Sequence, residues 1–228
     1  MDKKLPKPTA ILFDWDNTLV NTFPIIYQGL HDAFVAMDME PWTFEDIMSN
    51  REGIHNSLRD SFPRIFGNRW EDARKAYYDS FLANHLMKME VLSGAAETLD
   101  LLSDKDIFVA IVSNKTGKYL RIEVEHLGWQ NYFDRIVGAN DAAKDKPYSD
   151  PVHLAMDGSG IKLDEKVLFI GDSTTDVECA LNCGVTPIIF GDHIFGQGPN
   201  SHGVDLRKLI QVKNHEELQK LIKGFKNA

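Results

Sequence analysis

The sequence predicts an α/β fold: a parallel sheet with helices on both faces, into which an all-helical segment is inserted. Three observations predict it. Short apolar runs without polar alternation recur along the chain, as strands buried on both faces do. Stretches of helical periodicity separate them, and strands alternating with helices imply parallel pairing. One stretch, from Thr22 to Glu90, carries helical periodicity and turns alone.

The first run is Ala10-Ile11-Leu12-Phe13. Ile107 to Val112, Val167 to Ile170 and Val185 to Phe190 repeat the pattern, and Asp134 to Ala139 is a weaker fifth strand. Lys118 to Leu127 reads as a helix closed by Gly128, and Asp176 to Cys183 as one closed by Gly184. Asn214 to Glu217 has capping-box spacing and opens a short last helix. Within the helical segment, Ile26, Leu30, Phe34 and Met37 recur at helical spacing, and Arg69 to Met89 forms another helix or pair. Turn signals stand at Pro41, Gly53, Pro63 and Gly67. The segment holds 11 of the 23 aromatic residues and five of the eight arginines, enough for an aromatic core of its own. The expected division is therefore a core of residues 9–21 and 91–228, an inserted lobe of residues 22–90 and a flexible N-terminus of residues 1–8.

Composition narrows the function. A chain of 228 residues, 43% hydrophobic and 26% charged, can bury a sizeable core and is not disordered as a whole. Its net charge of −9 argues against a sequence-independent nucleic-acid binder, which needs concentrated positive charge. Cys179 and Cys183, one helical turn apart, read as small buried side chains rather than a disulfide or metal pair. The eight histidines are scattered, without zinc-ligand spacing. Met1 to Pro8 lacks the apolar stretch of a signal peptide, and Ile107 to Val112 falls far short of the roughly 20 residues of a membrane span. A cytoplasmic protein with no membrane or nucleic-acid partner is expected; the oligomeric state stays open.

Four groups of residues carry chemistry. Asp14-Trp15-Asp16-Asn17-Thr18 follows the first strand, and ligands of open parallel sheets bind at the C-terminal ends of strands. Two carboxylates two residues apart address one bound group, provided a cation or proton offsets their repulsion; otherwise they form an Asx turn. Gly171-Asp172-Ser173-Thr174-Thr175-Asp176 follows another buried strand. Asp172 is placed as a metal ligand, and Asp176 is either a further acid of the site or a helix N-cap. An oxygen-rich set of this kind suits Mg²⁺. Ser113-Asn114 ends a third strand, where a hydroxyl and backbone N–H groups suit phosphate oxygens or merely cap a helix. Lys146, before Pro147, supplies a point charge for a nucleophile and a phosphate, or a solvated surface cation.

In this order, these residues resemble the haloacid dehalogenase superfamily. Asp14-x-Asp16-x-Thr18 is similar to its first motif, Ser113 to its second, Lys146 to its third and Gly171-Asp172-x3-Asp176 to its fourth. Lys146 to Pro151 is close to the form found in phosphoglycolate phosphatase-like members, with Ser149 in place of a second proline. The resemblance implies a Rossmann-like core and a mobile C1-type helical cap. It implies Asp14 as nucleophile, forming an aspartyl-phosphate, and Asp16 as general acid and then base. It implies Thr18, Ser113 and Asn114 around the phosphoryl group, and Lys146 stabilising charge on Asp14. Mg²⁺ would be held by the Asp14 carboxylate, the Asp16 backbone carbonyl and Asp172, with Asp176 assisting.

Asp16 argues for phosphate chemistry, since dehalogenases need no leaving-group acid. Asn17 departs from the Asp-x-Asp-Gly of phosphomutases. The expected activity is a Mg²⁺-dependent phosphatase of a small phosphorylated metabolite, with 2-phosphoglycolate as a candidate. A phosphomutase and a non-catalytic phosphate-ligand binder are the alternatives. Arg51 and His55 in the lobe are the first candidates for reading the substrate, with Glu52 and Asn56 beside them. Arg59, Arg64, Arg69 and Arg74 are further candidates, each read more readily as a solvated helix face. Tyr148 either lines the cleft or packs, and the loop Gly191 to Gly203 either edges the site or lies on the surface.

Overall fold

The computed structural model describes residues 5–48, 56–192, 203 and 205–225. Six parallel strands form the main sheet: β1 (Ala10–Phe13), β4 (Phe108–Thr116), β5 (Arg135–Ala139), β6 (Val167–Gly171), β7 (Thr186–Phe190) and β8 (Ile210–Val212). Their spatial order is β5-β4-β1-β6-β7-β8. β1 is central: Phe13 lies between Ile111 of β4 and Ile170 of β6. The chain builds outward from β1 through β4 and β5, then returns to build the other half from β6. The C-terminal ends of β1, β4 and β6 therefore meet at the topological switch point, where such sheets bind ligands.

All four residues of β1 are inaccessible to solvent, which is why that run is apolar throughout. Ala10 and Leu12 point to one face, with Val112, Val152, Phe169 and Ala180. Ile11 and Phe13 point to the other, with Leu99, Leu120, Leu168 and Leu218. Helices α7 (Asp150–Met156) and α8 (Thr174–Cys183) cover the first face; α5 (Ala95–Ser103), α6 (Gly117–His126) and α9 (His215–Lys223) cover the second. β8 has no counterpart among the expected strands, because three residues paired on one side carry no usable period. Gly184 takes the expected left-handed conformation, φ 70°, at the end of α8. Asn214 caps α9 by accepting from Glu217 N–H at 3.0 Å. The N-terminal segment enters the fold before Thr9: Leu5 packs on the core and Pro8 is buried.

The inserted segment contains α1 (Phe23–Ala36), α2 (Phe44–Met48), α3 (Leu58–Phe66) and α4 (Trp70–Lys88). Arg69 to Met89 thus resolves into one helix. Ile25, Leu30, Phe34, Phe62, Phe66, Tyr77 and Phe81 form a cluster apart from the sheet's two. Pro63, expected at a turn, lies inside α3. Its missing N–H removes one helical bond, but burial of Phe62 and Phe66 on either side holds the turn in place. A short antiparallel pair, β2 (Val20–Asn21) and β3 (Glu90–Val91), closes the base of the segment. Among the described residues, no helix is long and apolar enough to cross a membrane.

His215 fastens α9 to the turn after β1. Its Nε2–H donates to the Thr18 carbonyl at 2.9 Å, and Nδ1 faces the Thr98 hydroxyl at 3.1 Å. Burial drives its pKa down to about 4 from the ordinary 6.5, so the folded state holds the neutral ring. Between those values the unfolded chain binds more protons, so stability falls as pH falls from about 6.5 to 4. The expected contribution, fully present above pH 6.5, is on the order of 2–3 kcal/mol. Urea unfolding from pH 7.5 to 4 should show that decline, and His215→Leu should flatten it.

Candidate active site

The backbone turns sharply after β1, and Asn17 stands at the bend with φ 58°. Asparagine tolerates this left-handed conformation almost as glycine does. Position 17 therefore meets a backbone demand that either residue satisfies, and asparagine there does not separate a phosphatase from a mutase. The turn sends Asp14 and Asp16 into one cavity while Trp15 points back into the core, fully buried.

Lys146 links the end of β1 to the first turn of α8. Its Nζ donates to Asp14 Oδ1 at 2.7 Å and to Asp176 Oδ1 at 2.6 Å, with all three side chains buried. Asn114 holds the segment that carries it, its Nδ2 donating to the Lys146 carbonyl at 3.0 Å. Asp176 is not the helix N-cap. Ser173 is, accepting from Asp176 N–H, and Asp176 Oδ2 returns to Ser173 N at 3.0 Å and to its hydroxyl at 2.6 Å. Asp176 thus binds Lys146 with one oxygen and the start of α8 with the other.

The acids are electrically undercompensated. Carboxylate oxygens of Asp14, Asp172 and Asp176 lie within 4.8 Å of one another. Burial, then the charges of Asp176 and Asp16, raise Asp14 to about 7 against the pull of Lys146. Burial, then Asp14 and Asp176, hold Asp172 well above the usual carboxylate range. Lys146 is raised: burial opposes its charge, and Asp14 and Asp176 outweigh that opposition. A divalent cation would offset the remaining deficit, and an all-oxygen donor set fits Mg²⁺. Asp14 and Asp172 are the side chains placed to hold it, since both oxygens of Asp176 are engaged.

A second buried cation, Lys115, joins the site without any signal in the motifs. It lies near the end of β4, with Nζ 2.7 Å from Asp16 Oδ1 and 2.8 and 3.0 Å from the two oxygens of Glu123 on α6. Glu123 is wholly buried and also accepts from Trp15 Nε1 at 2.7 Å. His85 Nδ1 of α4 lies 3.0 Å from its other oxygen. Asp16 also accepts from the Thr22 hydroxyl at 2.5 Å. The spacing Lys115-x7-Glu123 across a strand and a helix has no local signature; only the topology brings the two together.

Lys115 joins Asp14, Asp16 and Lys146 in lining a cavity of about 150 Å³ between the sheet and the inserted helices. Ser113, Asn114 and Asp172 share its floor with Asp14, Asp16 and Lys146. Phe23, Ile26, Leu58, Tyr78 and Phe81 supply its roof, and Asn56 joins them. Thr18 departs from expectation: it is fully buried and outside the cavity lining, and its carbonyl accepts from His215 of α9. Tyr148 is half exposed beneath Lys144 and also lies outside the lining. Arg51, Glu52 and His55 lie outside the described residues, as do residues 193–202 of the loop after β7. Arg59, expected on a solvated face, crosses to the core instead. Its Nε lies 2.8 Å from Asp145 Oδ2, and its Nη2 donates to the Ala143 carbonyl at 3.1 Å. Arg69 donates to the Met37 carbonyl and Arg74 covers the Trp70 ring, so neither reaches the cavity.

The sequence model of the haloacid dehalogenase-like hydrolases matches residues 11–190, most of the chain. The chain belongs to that family. Among its relatives, the pyrophosphatase PpaX of Halalkalibacterium halodurans is 29% identical over 188 residues, 82% of this chain and 86% of that one. A phosphoglycolate phosphatase of Rhodospirillum rubrum is 28% identical over 203 residues, 84% and 83% of the two chains. The crystal structure of a haloacid dehalogenase superfamily hydrolase from Ehrlichia chaffeensis aligns with a TM-score of 0.65 at 29% identity, covering 96% of this chain and 98% of that one.

Gly171 tests the packing of this haloacid dehalogenase-like site. A methyl group on it would stand 2.4–2.5 Å from the Asp176 carboxyl carbon and its neighbours, closer than real contacts allow. Gly171→Ala should cost about 1–3 kcal/mol in urea unfolding. It should also displace Asp176 from Lys146, lowering turnover beyond what the stability loss explains.

Proposed function

We propose that the protein is a Mg²⁺-dependent phosphatase that hydrolyses a small phosphate monoester through an aspartyl-phosphate on Asp14. The observation that carries this reading is the pair Asp14 and Asp16 opening into one cavity, with buried Lys146 on the first. The chemistry divides between the two acids. The Asp14 carboxylate attacks phosphorus as the ester P–O bond breaks, and Asp16 gives a proton to the departing alkoxide oxygen. Asp16 then takes a proton from the water that attacks the aspartyl-phosphate, releasing inorganic phosphate and restoring Asp14. Lys146 disperses the charge shared by Asp14 and the phosphoryl oxygens, and Ser113 and Asn114 frame those oxygens. When bound at Asp14 and Asp172, Mg²⁺ supplies further neutralisation of phosphoryl charge.

Residues 22–90 act in this reading as a cap over the phosphoenzyme, excluding bulk water. Contacts across the cavity support that role: the Tyr78 and Thr116 hydroxyls share a hydrogen bond of 2.6 Å. The cavity volume of about 150 Å³ favours a small ester, well below the roughly 300 Å³ at which drug-sized pockets begin. 2-Phosphoglycolate is the first ester to test, given the relatives of that name, and pyrophosphate the second. The complete set Asp14, Asp16, Lys146 and Asp172 argues against a binder without catalysis.

Phosphate release should be measured over a panel of small esters and pyrophosphate. Mg²⁺ should be required and EDTA should abolish turnover. Asp14→Asn should lower kcat by at least about 10³-fold with the protein still folded. Full activity in EDTA, or in Asp14→Asn, would overturn the reading.

A further inference from the structure

Asp16 needs a fixed orientation if it is to serve both the leaving oxygen and the attacking water; nothing in the motif that contains it supplies one, and the Thr22 hydroxyl beyond the motif is joined on the same oxygen by a charged partner. The surrounding geometry supplies that orientation. Lys115 Nζ is buried between two carboxylates, 2.7 Å from Asp16 and 2.8 Å from Glu123. Glu123 lies at the centre of a rigid set of partners. It faces the indole N–H of Trp15, the Lys115 ammonium and the His85 ring, and it is wholly inaccessible to solvent. Trp15 sits in the core against Trp129, with ring centroids 6.0 Å apart. Lys115 is further confined by the Phe81 ring, 5.2 Å from its Nζ. The ammonium therefore has little freedom to turn away from Asp16.

We infer that Lys115, fixed by Glu123, is a positioning residue that holds the Asp16 carboxyl towards the reacting phosphate. This rests on the phosphatase reading and adds to it a residue pair outside the family-like motifs. Glu123 has a distinct part in it. A lone lysine beside Asp16 would be free to turn towards an entering phosphate. The buried counter-charge anchors it on the α6 side, so that it presents one directed hydrogen bond to Asp16. The charged state of the pair is consistent: burial works against both charges, yet Glu123 is held below its ordinary value chiefly by Lys115, and Lys115 above its own by Asp16 and then Glu123. Binding of a second anionic group of the substrate is the competing use of Lys115. Two of its three donor directions are already taken by carboxylates, which argues against that use.

The two chemical steps separate these possibilities. p-Nitrophenolate leaves without a proton, so the first step with p-nitrophenyl phosphate needs no acid, whereas the second still needs the base. Hydrolysis of an alkyl phosphate needs Asp16 in both steps. Lys115→Met should therefore release a stoichiometric burst of nitrophenolate at a rate within about threefold of the wild-type burst or first turnover. Its steady-state rate should then fall by about 10²-fold, the scale of lost acid–base catalysis. On the alkyl ester kcat should fall similarly, with KM nearly unchanged. Because Lys115→Met leaves Glu123 buried without its counter-charge, the double variant Lys115→Met, Glu123→Gln should be run beside it and should show the same burst at near wild-type Tm. Wild-type protein inert towards every ester would overturn the phosphatase reading itself. Active wild-type protein with a variant that loses the burst in proportion to turnover, or whose defect lies in KM alone, would overturn the assignment of Lys115 and leave that reading standing.

Discussion

The bridge Asp14–Lys146–Asp176 is the interaction on which the site and its surroundings depend. Three buried charges are held within hydrogen-bonding distance, and such a set is tolerable only when each charge has a partner. Lys146 comes from the loop after β5, Asp14 from the end of β1 and Asp176 from the first turn of α8. One ammonium thus ties together three segments that the sheet order brings to a common edge. The tie also sets the order of neighbouring elements. Asp176 can reach Lys146 because Gly171 leaves room beneath it, and because Ser173 takes over the capping of α8. The residue types leave the compensation incomplete: among the described residues Asp172 has no salt-bridge cation of its own, and burial holds its carboxyl well above the usual range. A hard divalent ion is the natural completion of that arrangement.

A second bridge, Asp16–Lys115–Glu123, runs beside the first and faces the inserted helices rather than α8. The two lysines divide the two acids between them. Their surroundings differ: Asp14 shares its lysine with buried Asp176, while Asp16 faces an ammonium that is also paired with Glu123. Under the proposed mechanism, such unlike environments suit one acid to attack and the other to proton transfer. The second bridge also touches the lobe through His85 and Phe81, so the closed arrangement of helices and sheet is part of what orients Asp16.

Much of this was legible in the sequence because buried parallel strands announce themselves. Ala10 to Phe13 is apolar on both faces, and the residues just past such a strand are where a parallel sheet places its chemistry. Asp14, Asp16, Ser113 and Asp172 stand out as candidates from that position, Lys146 from its place before Pro147, and the family resemblance joins them into one set. The lobe is found from the helical spacing of Leu30, Phe34 and Met37 and from its share of aromatics. What escaped was whatever depends on two segments meeting. Glu123 is one polar residue on a helix until α6 is laid beside β4. Arg59 reads as a solvated side chain until α3 is laid over Asp145. Thr18 is placed by its neighbours in the motif, although its side chain turns into the core and its carbonyl accepts from His215. Asn17 carries weight as a chemical signature only until the backbone bend at that point is seen to admit asparagine and glycine alike.

The net charge of −9 takes on a different meaning once these residues are placed. Read globally, it opposes an anionic ligand, and it remains a sound argument against a nucleic-acid backbone. Read locally, Asp14, Asp16, Asp172, Asp176 and Glu123 account for part of the acidity; the first three line the cavity and the other two are buried behind it. Two lysines neutralise some of that charge, and a divalent cation bound at Asp14 and Asp172 would take more. The field that an entering phosphate meets is therefore set by the few groups that reach the cavity floor, not by the sum over the chain. Overall acidity and a phosphate site are compatible because burial separates the two scales. The carboxylates that make the chain acidic are the same ones that would collect the positive charge to which a phosphate responds.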